Sequence, residues 1–319
     1  MIGLREDAVR IFFLGVEVYA FGLYAALGAA LALAALALLL RRGKWKRGTA
    51  PLTGVMALGL GFLVSRLFFG TMEGAMGEIL PPWAMLRFNT GGYSMMGALL
   101  GACMGGILAA RLTGQSAKKM LDLLAPCLML FIACERLGEG YIEGYGVSRT
   151  LTDPLLQGTF LAVEREYGWC LATYLMEAFV GLVLAVILLR DIHQKRRAGD
   201  VFLLFLLLFG GTQVLLESLR YDGHMTVKAF VRLEMIMAMM LLSGGLIVLA
   251  VRQWKKRRGL ALAALLSIPA AAGLGVEIEF MIDHSQISHY LLYLAFLMLL
   301  AVPVCLGLRL RREGYDGKA

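Results

Sequence analysis

The sequence predicts an all-α fold, a polytopic membrane helix bundle of about nine transmembrane helices with its N-terminus outside and its C-terminus inside. Three observations lead there. The 319-residue chain is 59% hydrophobic and 17% charged, where a soluble domain carries roughly 25% charged residues; its mean hydropathy is +0.74. The apolar residues gather in blocks close to the roughly 20 residues that span a bilayer. Backbone polar groups in lipid must be satisfied within the segment, so such blocks form helices, and they do not alternate as barrel strands do. Finally, "RRGKWKR" (41–47), "RLTGQSAKK" (111–119), "RDIHQKRR" (190–197), "RQWKKRR" (252–258) and "RLRREGYDGK" (309–318) fall at every second connection and hold 21 of the 31 lysines and arginines. Basic loops stay in the cytoplasm, which sets the orientation and requires an odd number of crossings.

The first block, 11–40, follows the mixed-charge start "MIGLREDAVR" and is too long for a signal h-region, so no cleavable signal peptide is expected. Block two, 51–70, contains Arg66 after "GFLVS". Block three, 92–111, opens with "TGGYSMMG" (90–97), in which Gly91 and Gly92 precede Ser94. A Gly-Gly step before a helix leaves N–H groups free for an anion; the plainer reading is a helix-entry turn. Block four, 120–138, ends in "ACERLGEGYIEGYGVSR" (133–149). Blocks five to seven span 169–190, 201–219 and 229–251, and Glu177, like Glu17 and Glu234, lies inside an apolar block, which places it in the bundle interior. The last two, 259–281 and 288–308, follow a basic linker and read as an appended hairpin, dividing the chain at 252/253.

Sorting the loops by charge puts "ERLGEGYIEGYG", "RLFFGTMEGAMGEILPPW", "LRFNTGGYS" and "LESLRYDGH" at the outer face. Arg66, Arg87, Arg136 and Arg220 are therefore cations that the positive-inside bias does not account for. Arg136 stands at a helix end followed by Gly138, Gly140, Gly144 and Gly146. Glycines bring backbone close to a ligand, and a guanidinium binds two phosphate oxygens at once. The alternative is an interfacial arginine that snorkels, against which the neighbouring carboxylates count. Glu135, Glu139 and Glu143 would stack and repel on a continuing helix; the glycines at 138 and 140 point instead to a turn, with one or two glutamates paired to arginines or left as a solvated outer charge run. Glu217 and Arg220, three apart, share a helical face, as part of a headgroup clamp or as a local salt bridge.

The net charge of +8 and pI near 9.3 reflect topology and contact with anionic lipid, not nucleic acid. The five cysteines lack a CxxC and sit in or beside apolar blocks as packing residues. The four histidines have no zinc-ligand spacing, so neither a metal site nor any cofactor is expected.

Taken in order, these segments resemble the prolipoprotein diacylglyceryl transferases of bacteria. The likeness runs through "FGLYAALG" (21–28), "SRLFF" (65–69), "GGYSMMGALLG" (91–101), "DLLAPCLMLFIACERLG" (122–138), "TYLMEAF" (173–179) and "FGGTQVLLESLR" (209–220), covering about residues 15–250. The hairpin lies beyond it, since that family usually has seven crossings. Several positions depart from the family pattern. Met96 stands where the family has a histidine, Gln213 where it has an arginine, and Phe21 best matches its early tyrosine. Its signature Arg-x-Gly-Asn-Phe, followed by Asn-x-Glu, reads "RLGEGYIEG" here. Arg136 and Gly138 match, Glu139 takes the Asn place, and Glu143 fits with a one-residue slip.

The resemblance implies transfer of a diacylglyceryl group from phosphatidylglycerol to the lipobox cysteine of a lipoprotein precursor, at the outer face of a bacterial cytoplasmic membrane. Arg136 would hold the phosphate with Arg220 as helper. Arg66, Gly91, Gly92, Ser94 and Gly138 would line the headgroup pocket. The thiolate is the nucleophile, and with Met96 unable to take a proton, Glu143, Glu217 or Tyr93 would assist. The alternatives are a relative that binds phospholipid without transfer, and a small-solute transporter. The latter predicts helices broken near the midplane and an internal repeat, and neither pattern is seen in the sequence.

Overall fold

A computed structural model describes residues 10–13, 16–75, 92–194, 197–221, 226–228 and 231–316. Among the described residues, nine long helices follow the nine apolar blocks: α1 Ala20–Arg42, α2 Thr49–Ala75, α3 Met95–Leu112, α4 Ala117–Glu139, α5 Thr173–Ile192, α6 Asp200–Leu219, α7 Leu233–Gln253, α8 Arg258–His284 and α9 His289–Asp316. Seven of them, all but α4 and α5, are long and apolar enough to cross a membrane. The fold is that of a multi-pass helical membrane protein. The other two helices carry Arg136, Glu139 and Glu177.

The helix starts depart from the block starts where short strands intervene. Residues expected to begin the first helix form a hairpin, β1 (Arg10–Phe13) antiparallel to β2 (Val16–Tyr19), and α1 starts only at Ala20. The stretch expected as loop between blocks four and five contains β3 (Val147–Thr150), β4 (Ala162–Arg165) and β5 (Gly168–Ala172), in an antiparallel sheet with β5 central. β5 takes the first residues assigned to block five. A further pair, β6 (Thr226–Lys228) and β7 (Val231–Arg232), precedes α7. These strands are rich in valine and aromatic residues, which suit a pleated surface, and a 20-residue hydropathy window cannot resolve a period of two.

Among the described residues the chain forms two compact units. One takes in residues up to Val201 together with Arg220 and Tyr221; the other takes in Phe202–Leu219 and the described residues from 226 onward. In the first unit, small residues set the helix crossings, as in other membrane bundles. Gly97, Gly101 and Gly105, spaced four apart on α3, lie against the α2 backbone: a Cβ on Gly101 would stand 2.2 Å from the Leu60 carbonyl oxygen, and one on Gly105 2.3 Å from that of Met56. Gly28 of α1 meets Cys134 and Phe131 of α4, and Gly181 of α5 meets Ala133 of α4. The second unit is built on Leu203 and Leu207 of α6, Leu242 and Leu246 of α7, Ala261 and Ala264 of α8, and Leu310 of α9. The faces turned away from these contacts remain apolar, with Leu27, Leu31 and Leu38 on α1 and Leu100, Met104 and Leu108 on α3 all exposed. Such stripes are stable in lipid and would not be in water.

Candidate functional site

The last turn of α4 ends inside the first unit rather than at its surface. The helix continues through Gly138 to Glu139 and stops at Gly140. Gly138 does not break it: a Cβ there would press on Tyr24 and Phe21, so the glycine lets α1 close against α4. Beyond the helix the chain turns at Gly146, whose φ of +61° is the left-handed region that favours glycine. A Cβ at Gly146 would lie 3.0 Å from the Glu139 carboxylate. The Tyr174 N–H donates to the Gly146 carbonyl at 2.9 Å, and the Tyr221 N–H donates to that of Val147 at 2.8 Å. Those two bonds bring the start of α5 and the segment just after α6 to the same place.

The result is a buried ring of charge. The Arg136 guanidinium hydrogen-bonds Glu139 through Nη1 and pairs with Glu177 through Nε at 2.7 Å. Arg220 Nη1 reaches Glu139 at 3.0 Å and Glu177 at 3.1 Å. Each of these carboxylates therefore bridges both arginines. Exposure is 2% for Arg136, 6% for Glu139, 2% for Glu177 and 7% for Arg220, so water screens little of this attraction. Glu135 adds a third carboxylate, 3.7 Å from Arg136 Nε. Met95, at the start of α3, places its sulfur 3.0 Å from Arg136 Nη2.

The other expected residues occupy different places. Arg66 is 1% exposed, donates to the Gly92 carbonyl at 2.8 Å, and lies over the rings of Phe69 and Tyr93. Gly92 has φ +78°, and a Cβ there would collide with Phe69 and Arg66. Gly91 and Arg87 lie outside the described residues, as does His224. Ser94 caps α3, accepting from the Gly97 N–H at 3.2 Å, while its carbonyl accepts from the Ser65 hydroxyl at 2.7 Å. Burial pushes the Tyr93 hydroxyl above its ordinary range, against the pull of Arg66. Met96 is 1% exposed. In the second unit, Glu217 accepts from the Gln213 amide at 2.8 Å, and Arg232 donates to the Glu217 carbonyl at 2.9 Å with its guanidinium 4.0 Å from the carboxylate.

Glu143 lies past the helix in a clasp with the small sheet. Arg165 of β4 donates to Glu143 Oε2 at 3.1 Å and to the Gly140 carbonyl at 3.3 Å. The Glu143 side chain is 37% exposed, so the pair is partly solvated and contributes up to about 1 kcal/mol. Replacing Arg165 with alanine is therefore expected to loosen the 140–146 turn, raising its amide hydrogen exchange, while thermal stability falls by about 1 kcal/mol or less. Glu177, Arg165 and Arg232 received no site role from the sequence. For Glu177 there was a usable signal, a carboxylate inside an apolar block; a clasp such as Arg165 to Glu143 has none.

Residues 9–251 match the sequence profile of prolipoprotein diacylglyceryl transferase. Among curated proteins, the phosphatidylglycerol--prolipoprotein diacylglyceryl transferase of Bacillus licheniformis is 28% identical over 186 residues, 55% of this chain and 67% of that protein. The proteins of the same name from Bacillus cereus and Listeria innocua are 30% identical over 152 residues and 24% identical over 205 residues. These matches cover 45% and 61% of this chain, and 55% and 72% of the two relatives.

Proposed function

Because the chain belongs to the prolipoprotein diacylglyceryl transferase family, we propose that it moves a diacylglyceryl group from phosphatidylglycerol to a cysteine thiol of a lipoprotein precursor, releasing glycerol phosphate. The relatives' names state the lipid and the protein substrate. The observation that carries the reading is the buried ring in which Arg136 and Arg220 are held by Glu139 and Glu177. Arginines fixed before substrate arrives stabilise a phosphate leaving group without reorganising at the moment of reaction. Arg136 and Arg220 take the phosphate, and Arg66 with the Gly91–Gly92 step lines the headgroup pocket. Ser94 and Gly138 support that pocket through the cap of α3 and the seat of α1. Glu217 belongs to a second polar group with Gln213 and Arg232, and Glu143 positions the turn after α4.

In this reading the chain crosses a bacterial cytoplasmic membrane nine times with the N-terminus outside. Residues 1–252 form the transferase-like domain and 253–319 an added hairpin and tail, and the site opens toward the outer face. Chemistry at this site needs neither nucleic acid nor a cofactor. The test uses purified protein in phosphatidylglycerol-containing micelles with a peptide bearing a lipobox cysteine. Glycerol phosphate release and peptide lipidation are expected in the wild type and are expected to vanish in Arg136→Ala. Turnover unchanged by Arg136→Ala would sink the assignment.

A second reading is favoured by Phe21, Met96 and Gln213, which replace the tyrosine, histidine and arginine that family resemblance leads one to expect. It is a relative that binds phospholipid without transfer. Retained phosphatidylglycerol binding, lost in Arg136→Ala, with no release from the wild type, would select it.

A further inference from the structure

The charge ring does not balance. Among the described residues of the site, two guanidiniums, Arg136 and Arg220, meet three carboxylates, Glu135, Glu139 and Glu177. Glu139 and Glu177 each bridge both arginines, so the four short contacts of the ring are theirs. Glu135 has only the outer flank of Arg136, at 3.7 Å. Its Oε2 is buried and makes no hydrogen bond. Carboxylates that share a low-dielectric site cannot all ionise at ordinary cost, and the one with the weakest compensation is the one that keeps or takes up a proton. Side-chain exposure is 12% for Glu135, against 8% for Glu139 and 1% for Glu177. Glu135 is thus the least compensated carboxylate of the site.

We propose that Glu135 is the proton-exchanging carboxyl of this site and takes the proton of the attacking cysteine thiol, a role that rests on the transferase reading. The ionised carboxylate accepts the thiol proton while the sulfur lone pair forms the new C–S bond to the glycerol carbon. The C–O bond to phosphorus-bound oxygen breaks with its electron pair going to that oxygen. The proton then passes from Glu135 to the departing phosphate, so glycerol phosphate leaves with one negative charge, as the phosphodiester arrived, and Glu135 is ionised again. Glu139 and Glu177 are unsuited to this exchange because protonating either would release an arginine on each side. Among the described residues, the charged groups that act on Glu135 are Arg136, Glu139, Glu177 and Arg220; Tyr24 of α1 and Tyr174 of α5 flank Gly138 and Gly140 at this end of α4, with Tyr141 just beyond the helix. Tyr24 is engaged with the Tyr141 hydroxyl at 3.1 Å.

Two measurements on the full chain in phosphatidylglycerol-containing micelles test this. The first follows glycerol phosphate release with the cysteine peptide across pH for the wild type, Glu135→Gln and Glu135→Asp. Glu135→Gln is expected to cut turnover about 10²- to 10⁴-fold, the contribution of a positioned base, with phosphatidylglycerol binding retained and partial recovery in Glu135→Asp. Its residual rate should climb about tenfold per pH unit below the thiol's own pKa of about 8.5, because bulk water must then supply the thiolate. The second records infrared difference spectra between acidic and alkaline buffer. The component of the protonated-carboxyl band that Glu135 contributes in the wild type is expected to be lost in Glu135→Gln. Wild-type turnover with an unchanged pH profile in Glu135→Gln overturns the proposal, and so does an unchanged carboxyl band. No release from the wild type, with that component still lost in Glu135→Gln, retires the transferase reading and the thiol as proton source, while proton exchange at Glu135 stands.

Discussion

Replacing Glu177 with leucine is expected to destabilise the protein by about 3–5 kcal/mol, the cost of removing one partner from a buried ion pair. The side chain is 1% exposed and its two oxygens contact Arg136 at 2.7 Å and Arg220 at 3.1 Å. Leucine fills a similar volume, so the loss comes from charge rather than from a cavity. Two guanidiniums would then share Glu139, with Glu135 3.7 Å from Arg136. Thermal unfolding of the purified protein in detergent measures this. The double variant Glu177→Leu with Arg220→Leu returns the site to its wild-type net charge and is expected to be less destabilised than the two single variants together, by about 0.5–3 kcal/mol of coupling. Strict additivity would mean that the two side chains do not act as one unit, and a Glu177→Leu effect under about 0.5 kcal/mol, the size of a surface substitution, would remove the ring as an energetic feature.

That ring shows where sequence reading reaches and where it stops. The helices were legible because a run of apolar residues long enough to span lipid has few other uses, and all nine blocks carry a helix among the described residues. Arg136 and Arg220 were legible as cations that stand outside the five basic runs. Which carboxylates hold them was not. Glu139 looked as much like a solvated outer charge as a buried partner. The structure gives Arg220 the carboxylates of Glu139 and Glu177, 81 and 43 residues away. Contacts of that separation depend on two backbone hydrogen bonds, from Tyr174 and Tyr221, that no periodicity encodes. The strands before α1, α5 and α7 were missed for a different reason. Those before α1 and α5 fall in the apolar runs of the helices they precede, so only their period distinguishes them.

Substituting Gly101 with alanine is expected to destabilise the bundle by about 1–3 kcal/mol, and with leucine by more. A Cβ at Gly101 would stand 2.2 Å from the Leu60 carbonyl oxygen, 2.6 Å from its carbon and 2.8 Å from the Gly61 Cα. All three are backbone atoms of α2, so no side chain can rotate away and the helices themselves must part. Gly59 is the control. It also lies inside α2, but a Cβ there would have nothing within 4 Å, and Gly59→Ala should be neutral or stabilising because alanine is the better helix former by about 1 kcal/mol. Opposite signs for the two glycines in thermal unfolding are the expected result, and equal effects would show that close approach of α2 and α3 is not what Gly101 provides. The consequence reaches the site. α3 begins at the Ser94 cap, which is tied to Ser65 of α2, and its first residue, Met95, rests on Arg136. Parting α2 from α3 strains both ties at once. A Gly101→Ala protein that still folds is therefore expected to lose phospholipid turnover out of proportion to its loss of stability, which separates a displaced site from a merely weakened bundle.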